Sequence, residues 1–336
     1  MTGAKLGLLK MPDTVFIRFI AVLLITNSHL DGLYPDPRFG TGGALGNSLF
    51  FAASGYGLMM GWKAAPSAFL PWFKRRFMRI YPAAWVAGGI LAFLAWQRGQ
   101  VVDPLSTFVW PTAFWFVSAI ILFYIPYYFL MRSASAKALR WTILLIVLPY
   151  VYFYVTGVDM TRWSIESDYF KWIFYFQIML LGGLIAHASA GKQWSMSHYL
   201  VLLFASLVLY FGYKLLAGPL GLWKWQFLTH LFTVPIVWAA FRLSASEFVR
   251  RRIVESAAGP LVSLLAGLTL EIYMVQNLVY SNEFIKSLPF PFSVLAFALC
   301  AVLLAYIVQK AAALLSNLIE KLAGLSGRVA WGSETK

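Results

Sequence analysis

Residues 14–30 read TVFIRFIAVLLITNSHL, an apolar run that holds an arginine, Arg18, and has a histidine, His29, near its end. The run approaches the roughly 20 residues that an α-helix needs to cross a bilayer. Nine further apolar runs follow it, at about residues 44–62, 82–97, 112–131, 139–156, 170–187, 198–216, 225–242, 259–281 and 289–313. The pattern predicts an all-α integral membrane protein, a bundle of about ten transmembrane helices.

The composition indicates the same fold class. Of the 336 residues, 60% are hydrophobic and 12% are charged, whereas soluble domains have about 25% charged residues. A soluble enzyme, a disordered chain and a coiled coil are therefore excluded. The single cysteine, Cys300, excludes an intrachain disulfide and a cysteine metal cluster, and no metal site is expected.

We expect one polytopic domain over residues 1–336, with its core at about 14–313 and a cytoplasmic tail at 314–336. Neither a signal peptide nor a fused soluble domain is expected. With the N-terminus inside, 19 of the 27 Lys and Arg residues fall in inner segments and seven in outer ones. Cytoplasmic loops carry such an excess, so the pattern predicts that both termini are cytoplasmic. The net charge of +14 then indicates contact with anionic membrane lipids rather than with nucleic acid.

Arg18 and His29 lie within the first predicted span, where ionisable groups are costly and commonly functional. They are eleven residues apart, about three helical turns and about 16 Å along a helix axis, which places them on nearly one face. Histidine is suited to general-base work near neutral pH. Two simpler readings stay open: an arginine that reaches the inner headgroups, and a histidine at the interfacial end of a helix.

A cluster of cations precedes the third span. Arg75, Arg76 and Arg79 lie on the predicted cytoplasmic side, and Arg75 and Arg79 would share a helix face. Guanidinium groups bind phosphate through paired hydrogen bonds. The same residues also fit a simple positive-inside anchor.

Taken in chain order, several segments resemble the motifs of the acyltransferase 3 family. Arg18 and His29 resemble the arginine–histidine pair of its first helix, and residues 75–82 resemble its Arg-Arg-x-x-Arg-Ile-x-Pro segment. The other similar segments are residues 46–56, 115–117, 176–183 and 271–274. Two positions depart from the family pattern, because Ser48 stands where an acidic residue is common and Gln276 stands where a histidine is common.

The resemblance implies an O-acyltransferase of the cell (inner) membrane that moves an acyl group from acyl-CoA to a hydroxyl of an extracytoplasmic or lipid-linked glycan. Acetyl-CoA is the expected donor, and no permanently bound cofactor is implied. His29 would be the general base, with a covalent acyl-histidine as the alternative, and Arg18 would position the donor or hold the first helix. The phosphates of CoA would be held by Arg75, Arg76 and Arg79.

Five residues are expected to line the cavity or meet the acceptor: Asn27, Ser54, Tyr56, Trp115 and Glu166. Small residues at Gly46, Ser54, Gly55 and Gly57 also fit close helix packing, and Trp115 also fits an interfacial aromatic belt. Glu166 shares its predicted outer loop with Asp159, Arg162 and Asp168, and a solvated loop explains it equally well.

Partners implied by the resemblance are acyl-CoA, the hydroxyl acceptor, membrane lipids, and either a second copy of the chain or an envelope-glycan machinery. Two other functions remain open on the residues alone. One is a transporter or flippase of a glycan or small metabolite, which a polar stripe and interior prolines would fit. The other is a non-catalytic component of glycan assembly.

Overall fold

Helices make up nearly all of the regular structure in the computed structural model, which describes residues 14–133, 135–167, 169–188 and 194–322. These residues contain no β-strand, which confirms the all-α class. The helices are α1 (Thr14–Asn27), α2 (Gly43–Ala64), α3 (Phe69–Gln97), α4 (Trp115–Arg132), α5 (Ala136–Gly157), α6 (Phe170–Ala188), α7 (Met196–Leu216), α8 (Phe227–Ser244), α9 (Glu247–Val249), α10 (Gly259–Gly267), α11 (Thr269–Tyr280), α12 (Glu283–Ser287) and α13 (Phe292–Leu322).

Within the residues that the structure describes, seven helical segments are long and apolar enough to cross a membrane, and α10 with α11 makes an eighth if this broken pair is one span. The seven are Phe69–Gln97, Leu105–Arg132, Ala136–Gly157, Phe170–Ala188, Met196–Leu216, Trp223–Ser244 and Phe292–Leu322. The chain is therefore a multi-pass membrane protein.

All ten predicted runs coincide with helices, but α1 has only 14 residues, and α2, with Asn47 and five glycines, is not among the seven. The count of ten spans and the N-in, C-in orientation stay predictions. Of the inner cations counted above, Lys5, Lys10, Lys192, Arg328 and Lys336 lie outside the described residues, as do residues 323–336 of the predicted tail.

The third span is longer than its apolar run. Helix α3 begins at Phe69 and has 29 residues, so all three arginines lie in its first half. Aromatic rings at every fourth position stack along this half, with centroids 5.4 Å apart for Phe69–Phe73 and 4.0 Å for Phe77–Tyr81. Side chains four residues apart are neighbours on a helix, so this ladder supports helix formation well before the run at residue 82.

The described chain divides into two compact units. The first unit holds residues 14–25, 42–66 and 126–267, and the second holds 26–41, 67–125 and 268–322.

In the first unit, α2 and α6 are in backbone contact through two glycines. A Cβ atom on Gly55 would lie 1.9 Å from the carbonyl oxygen of Met179, and one on Gly182 would lie 2.0 Å from that of Ala52. Both distances are far below van der Waals contact, so only glycine fits. Gly46 approaches α1 in the same way, with Ala21 O at 2.8 Å, but Gly57 faces open space. The prediction of close packing is thus confirmed for Gly46 and Gly55 and wrong for Gly57.

In the second unit, hydrogen bonds tie α3 to the segment Leu105–Val109. Tyr81 OH donates to Val109 O at 2.8 Å, and Trp85 Nε1 donates to Phe108 O at 2.9 Å. Helix α13 packs against both α3 and α11. In the second unit, α3 and α11 are therefore both neighbours of the long helix α13.

Candidate functional site

The first helix ends at Asn27, and His29 lies in the turn beyond it. The backbone N–H of His29 donates to Thr26 O at 3.0 Å, and that of Leu30 donates to Asn27 O at 3.2 Å. The helix ends before His29, so Arg18 and His29 do not share a helix face, and that prediction is wrong. The turn, rather than the 3.6-residue repeat, sets the direction of the imidazole.

His29 is half-buried at this helix end. Burial lowers the pKa of its imidazole, and the negative charge of Asp31 opposes that effect to a smaller extent. Because burial disfavours the charged form, the imidazole is held neutral near pH 7. A neutral imidazole has a nitrogen lone pair that can accept a proton, which is what a general base requires.

Asn27 is engaged in holding the loop that follows α1. Its Nδ2 donates to Phe39 O at 2.7 Å and to Thr41 O at 2.9 Å, and its Oδ1 accepts from Tyr34 OH at 2.7 Å. These bonds use both amide donors and one acceptor position of the side chain. Asn27 therefore shapes the loop that carries His29, while its predicted contact with substrate stays a prediction.

The arginines of α3 differ in exposure. Arg75 is exposed and its Nη2 donates to Ser67 Oγ at 2.8 Å, while Arg76 is half-buried and Arg79 exposed. The charges of Arg76 and Arg79 both act on the hydroxyl of Tyr124. Exposed guanidinium groups on one half of a helix are suited to an anionic ligand.

Two of the sequence motifs meet in the second unit. The backbone N–H of Phe116 donates to Tyr273 OH at 3.3 Å, and the two rings lie 5.6 Å apart. Trp115 is half-buried and packs edge-on against Phe116 at 5.9 Å. Segment 115–117 at the start of α4 is thus joined to segment 271–274 of α11.

Helix α11 carries two buried polar side chains that the predicted site does not include. Gln276 is 0% exposed, and neither its Nε2 nor its Oε1 has a hydrogen-bond partner among the described residues. Glu271 is 8% exposed, its Oε2 also has no partner there, and the charge of Arg79 acts on its carboxylate. The sequence does indicate both residues, because polar side chains inside an apolar run such as 259–281 are uncommon and are often functional.

The remaining predicted residues lie in the first unit. In α1, Arg18 is half-buried and its Nε donates to Thr14 O at 3.3 Å. In α2, Tyr56 is buried with its ring 5.8 Å from Phe241, and Ser54 is half-buried. Ser48, where the family pattern is often acidic, is fully buried and donates its Oγ to Ala44 O at 2.8 Å.

Glu166 is half-buried and belongs to a polar cluster of the first unit rather than to a solvated loop. Its Oε1 lies 3.1 Å from His230 Nε2, and its Oε2 accepts from Tyr175 OH at 2.7 Å. His230 is 4% exposed, its Nδ1 lies 2.9 Å from Tyr150 OH, and the ring of Phe174 stacks on it at 3.7 Å. The predicted site does not include His230, although a histidine inside the apolar run 225–242 is a signal for it.

Gln226 fixes the loop that carries Glu166. Its Oε1 accepts from the backbone N–H groups of Ser164 and Ile165, each at 2.9 Å, and its Nε2 donates to Asp159 O at 2.9 Å. Arg162 is held against the Asp159 carboxylate at 2.7 Å. Asp168, the fourth residue named for this loop, lies outside the described residues.

The predicted site residues fall into two groups by unit. The second unit holds Asn27, His29, Arg75, Arg76, Arg79 and Trp115, and the first holds Arg18, Ser54, Tyr56 and Glu166. Within the second unit, the helix end with His29, the arginines of α3, the start of α4 and the buried polar groups of α11 belong to one compact body. The described residues contain no group of three or more His, Cys, Asp or Glu side chains that could hold a metal ion.

Comparison with known families agrees with the motifs. A family model described as an acyltransferase domain matches residues 16–310. Comparison with curated proteins and with solved structures gave no match. The family match covers most of the chain, including α1, the arginines of α3 and all of α11, and so this multi-pass membrane protein belongs to the acyltransferase 3 family.

Proposed function

We propose that the protein transfers an acyl group, expected to be acetyl, from cytoplasmic acyl-CoA to a hydroxyl of an extracytoplasmic or lipid-linked glycan. The observation that carries the proposal is the content of the second unit: a half-buried histidine just beyond the end of α1, together with the exposed arginines Arg75 and Arg79 of α3. An acyltransferase needs a base for the acceptor and cations for the phosphates of CoA, and these residues have that chemistry.

Each of the proposed site residues has its own role in the reaction. His29 takes the proton of the acceptor hydroxyl as the oxygen attacks the carbonyl carbon of the thioester. The new C–O bond forms, the C–S bond breaks, and the CoA thiolate leaves with the proton that His29 had taken, so that CoA departs as a thiol and the imidazole is neutral again. Arg75, Arg76 and Arg79 hold the phosphates of the donor, and Arg18 positions the first helix.

A covalent route is the alternative form of the same proposal. There, a nitrogen of the neutral His29 attacks the thioester carbonyl, the C–S bond breaks and the CoA thiolate leaves. The acceptor hydroxyl then attacks the acyl group, the C–N bond breaks, the neutral imidazole is restored and the hydroxyl proton passes to the thiolate. Both routes require the uncharged imidazole, which burial favours.

The same proposal includes the membrane, the orientation, the cofactor requirement and the partners of the protein. The protein lies in the cell (inner) membrane with both termini cytoplasmic, which puts the arginines on the side where acyl-CoA is made. It needs no permanently bound cofactor. Its protein partner is a second copy of the chain or an envelope-glycan machinery.

Mass spectrometry of surface and periplasmic glycans tests the proposal. Cells lacking the protein, cells with it restored and cells carrying His29→Ala are compared at equal membrane abundance. We expect an acyl mass increment only with the intact protein. The matched control is His198→Ala, which removes an exposed histidine at the start of α7 and should leave the increment intact. An unchanged increment in His29→Ala would exclude His29 as the base.

Dependence on the donor is tested with purified protein. We expect acetyl-CoA to bind and Arg75→Ala with Arg76→Ala to weaken that binding without lowering membrane abundance. Activity that follows an ion gradient and ignores acyl-CoA would instead indicate transport.

A further inference from the structure

We propose that Gln276 and Glu271 of α11 bind the pantetheine arm of the acyl donor, an inference that rests on the proposed function. The pantetheine arm is the uncharged part of CoA between the phosphates and the thioester, and it contains two secondary amides. Three properties of α11 support this assignment: its unpartnered polar atoms, their chemistry, and the neighbours at its two ends.

The first property is the lack of protein partners. A buried polar group without a hydrogen bond destabilises the folded protein, and nearly all buried polar side chains in proteins are paired. Gln276 has a donor and an acceptor atom without partners among the described residues, and Glu271 has one such acceptor. Two such side chains within six residues of one helix indicate a ligand that supplies the missing bonds.

The second property is the chemistry of the pair. A glutamine amide has N–H donors and a carbonyl acceptor, which complement the C=O and N–H of a secondary amide. The carboxylate of Glu271 adds an acceptor for an amide N–H. Neither side chain carries the positive charge that attracts a phosphate. The pair therefore fits the amide-bearing arm of CoA rather than its nucleotide.

The third property is position within the second unit. At one end of α11, Glu271 lies within the electrostatic reach of Arg79. At the other end, Tyr280 OH donates to Asp31 Oδ1 at 3.4 Å, and Asp31 is two residues after His29 in the chain. Along the helix axis, residues 271 and 280 are about 14 Å apart and residues 271 and 276 about 7.5 Å apart, with Gln276 about 140° around the axis from Glu271. Helix α11 thus connects the arginines expected to hold phosphate with the loop of the expected base.

The test measures binding of two probes to the full-length protein in lipid nanodiscs. Acetyl-CoA contains the phosphates and the arm, whereas S-acetyl-pantetheine contains only the arm. We expect Gln276→Leu to weaken binding of both probes by about tenfold, the usual effect of removing one or two buried hydrogen bonds. Arg76→Ala with Arg79→Ala should weaken only acetyl-CoA. Gln276→His, which keeps a donor and an acceptor, should bind close to wild type.

The thermal unfolding of the ligand-free protein separates binding from a structural role. Because Gln276 has no hydrogen-bond partner among the described residues, Gln276→Leu removes an unsatisfied buried polar group, and we expect its Tm to equal or exceed that of wild type. Met274→Leu, a volume-conserving change on the same helix, is the control and should leave both binding constants unchanged. Glu271→Gln, which keeps an oxygen acceptor, should weaken binding less than Glu271→Leu.

Two results would overturn the inference. One is wild-type affinity of Gln276→Leu for both probes, or for S-acetyl-pantetheine alone. The other is a clear loss of Tm in ligand-free Gln276→Leu, which would show that protein or water already satisfies the amide. Failure of the wild-type protein to bind either probe would instead count against the proposed function as a whole.

Discussion

His230 Nε2 lies 3.1 Å from Glu166 Oε1, and this contact joins α8 to the loop that precedes α6. The imidazole is also held by Tyr150 on its second nitrogen and by the ring of Phe174 on one face. The second carboxylate oxygen accepts from Tyr175, which Asn47 of α2 also hydrogen-bonds. The pair is therefore the centre of a network that draws on several elements of the first unit.

Removal of this carboxylate should destabilise the protein. Glu166→Ala breaks hydrogen bonds to a charged group and leaves His230 and Tyr175 short of partners, so we expect a loss of about 2 kcal/mol in the free energy of unfolding. Unfolding in mixed detergent micelles measures this loss. The control is Glu283→Ala, because the Glu283 side chain is 84% exposed beside Lys286 and exposed pairs contribute little. Equal stability of the two variants would contradict the structural role of Glu166.

The pH dependence of stability should also depend on Glu166. Burial would raise the pKa of its carboxyl, but hydrogen bonds from His230 and Tyr175, with the charges of His230 and Lys171, outweigh burial and lower it below 4.5. A depressed carboxyl pKa stabilises the fold above the unfolded pKa, and this stabilisation is lost as the pH falls through the folded pKa. Thermal unfolding from pH 7 to pH 3 should therefore show a steeper loss below pH 4.5 in wild type than in Glu166→Gln. Parallel curves would exclude this assignment.

The acidic limb of the pH–rate profile should report on His29. Burial lowers the pKa of the imidazole, so the base form persists below 6.5, its usual pKa, and acyl transfer should decline only under more acidic conditions. Asp31→Asn removes the charge that opposes this shift while keeping an acceptor for Tyr280. We expect it to move the limb to still lower pH. Asp36→Asn, a change in the same loop beside Arg38, should leave the limb in place, and a limb above pH 6.5 would argue against His29 as the base.

The contact between α2 and α6 should tolerate no side chain at its glycines. Gly55→Ala and Gly182→Ala place a Cβ about 2 Å from a backbone carbonyl oxygen, and we expect each to lower stability by at least about 1–3 kcal/mol, as overpacking does. Gly57→Ala is the matched control, since nothing lies within 4 Å of its Cβ position. Alanine there should be neutral or stabilising by about 0.5–1 kcal/mol because it favours the helix. Membrane abundance and Tm measure all three, and a stable Gly55→Ala would contradict the close approach.

Much of the candidate site is predictable because its residues are polar or charged while their sequence neighbours are apolar. Arg18, Glu271 and Gln276 are polar groups within apolar runs, where each must have a reason to be present. The arginines of α3 are recognisable by their spacing and their family motif. Burial and pairing are not predictable in this way, since Glu166 reads equally well as a loop residue until the positions of His230 and Tyr175 are known.

The sequence by itself determined the fold class, the helical runs and the family, because each of these depends on local hydrophobicity or on short motifs. Only the tertiary structure decided where α1 ends, that Glu166 is paired with a histidine 64 residues away, and that Gln276 has no protein partner among the described residues. Contacts between distant residues depend on how helices pack, and that packing is decided by all of their side chains together. A periodic pattern in one segment carries no information about the atoms that another segment brings to it.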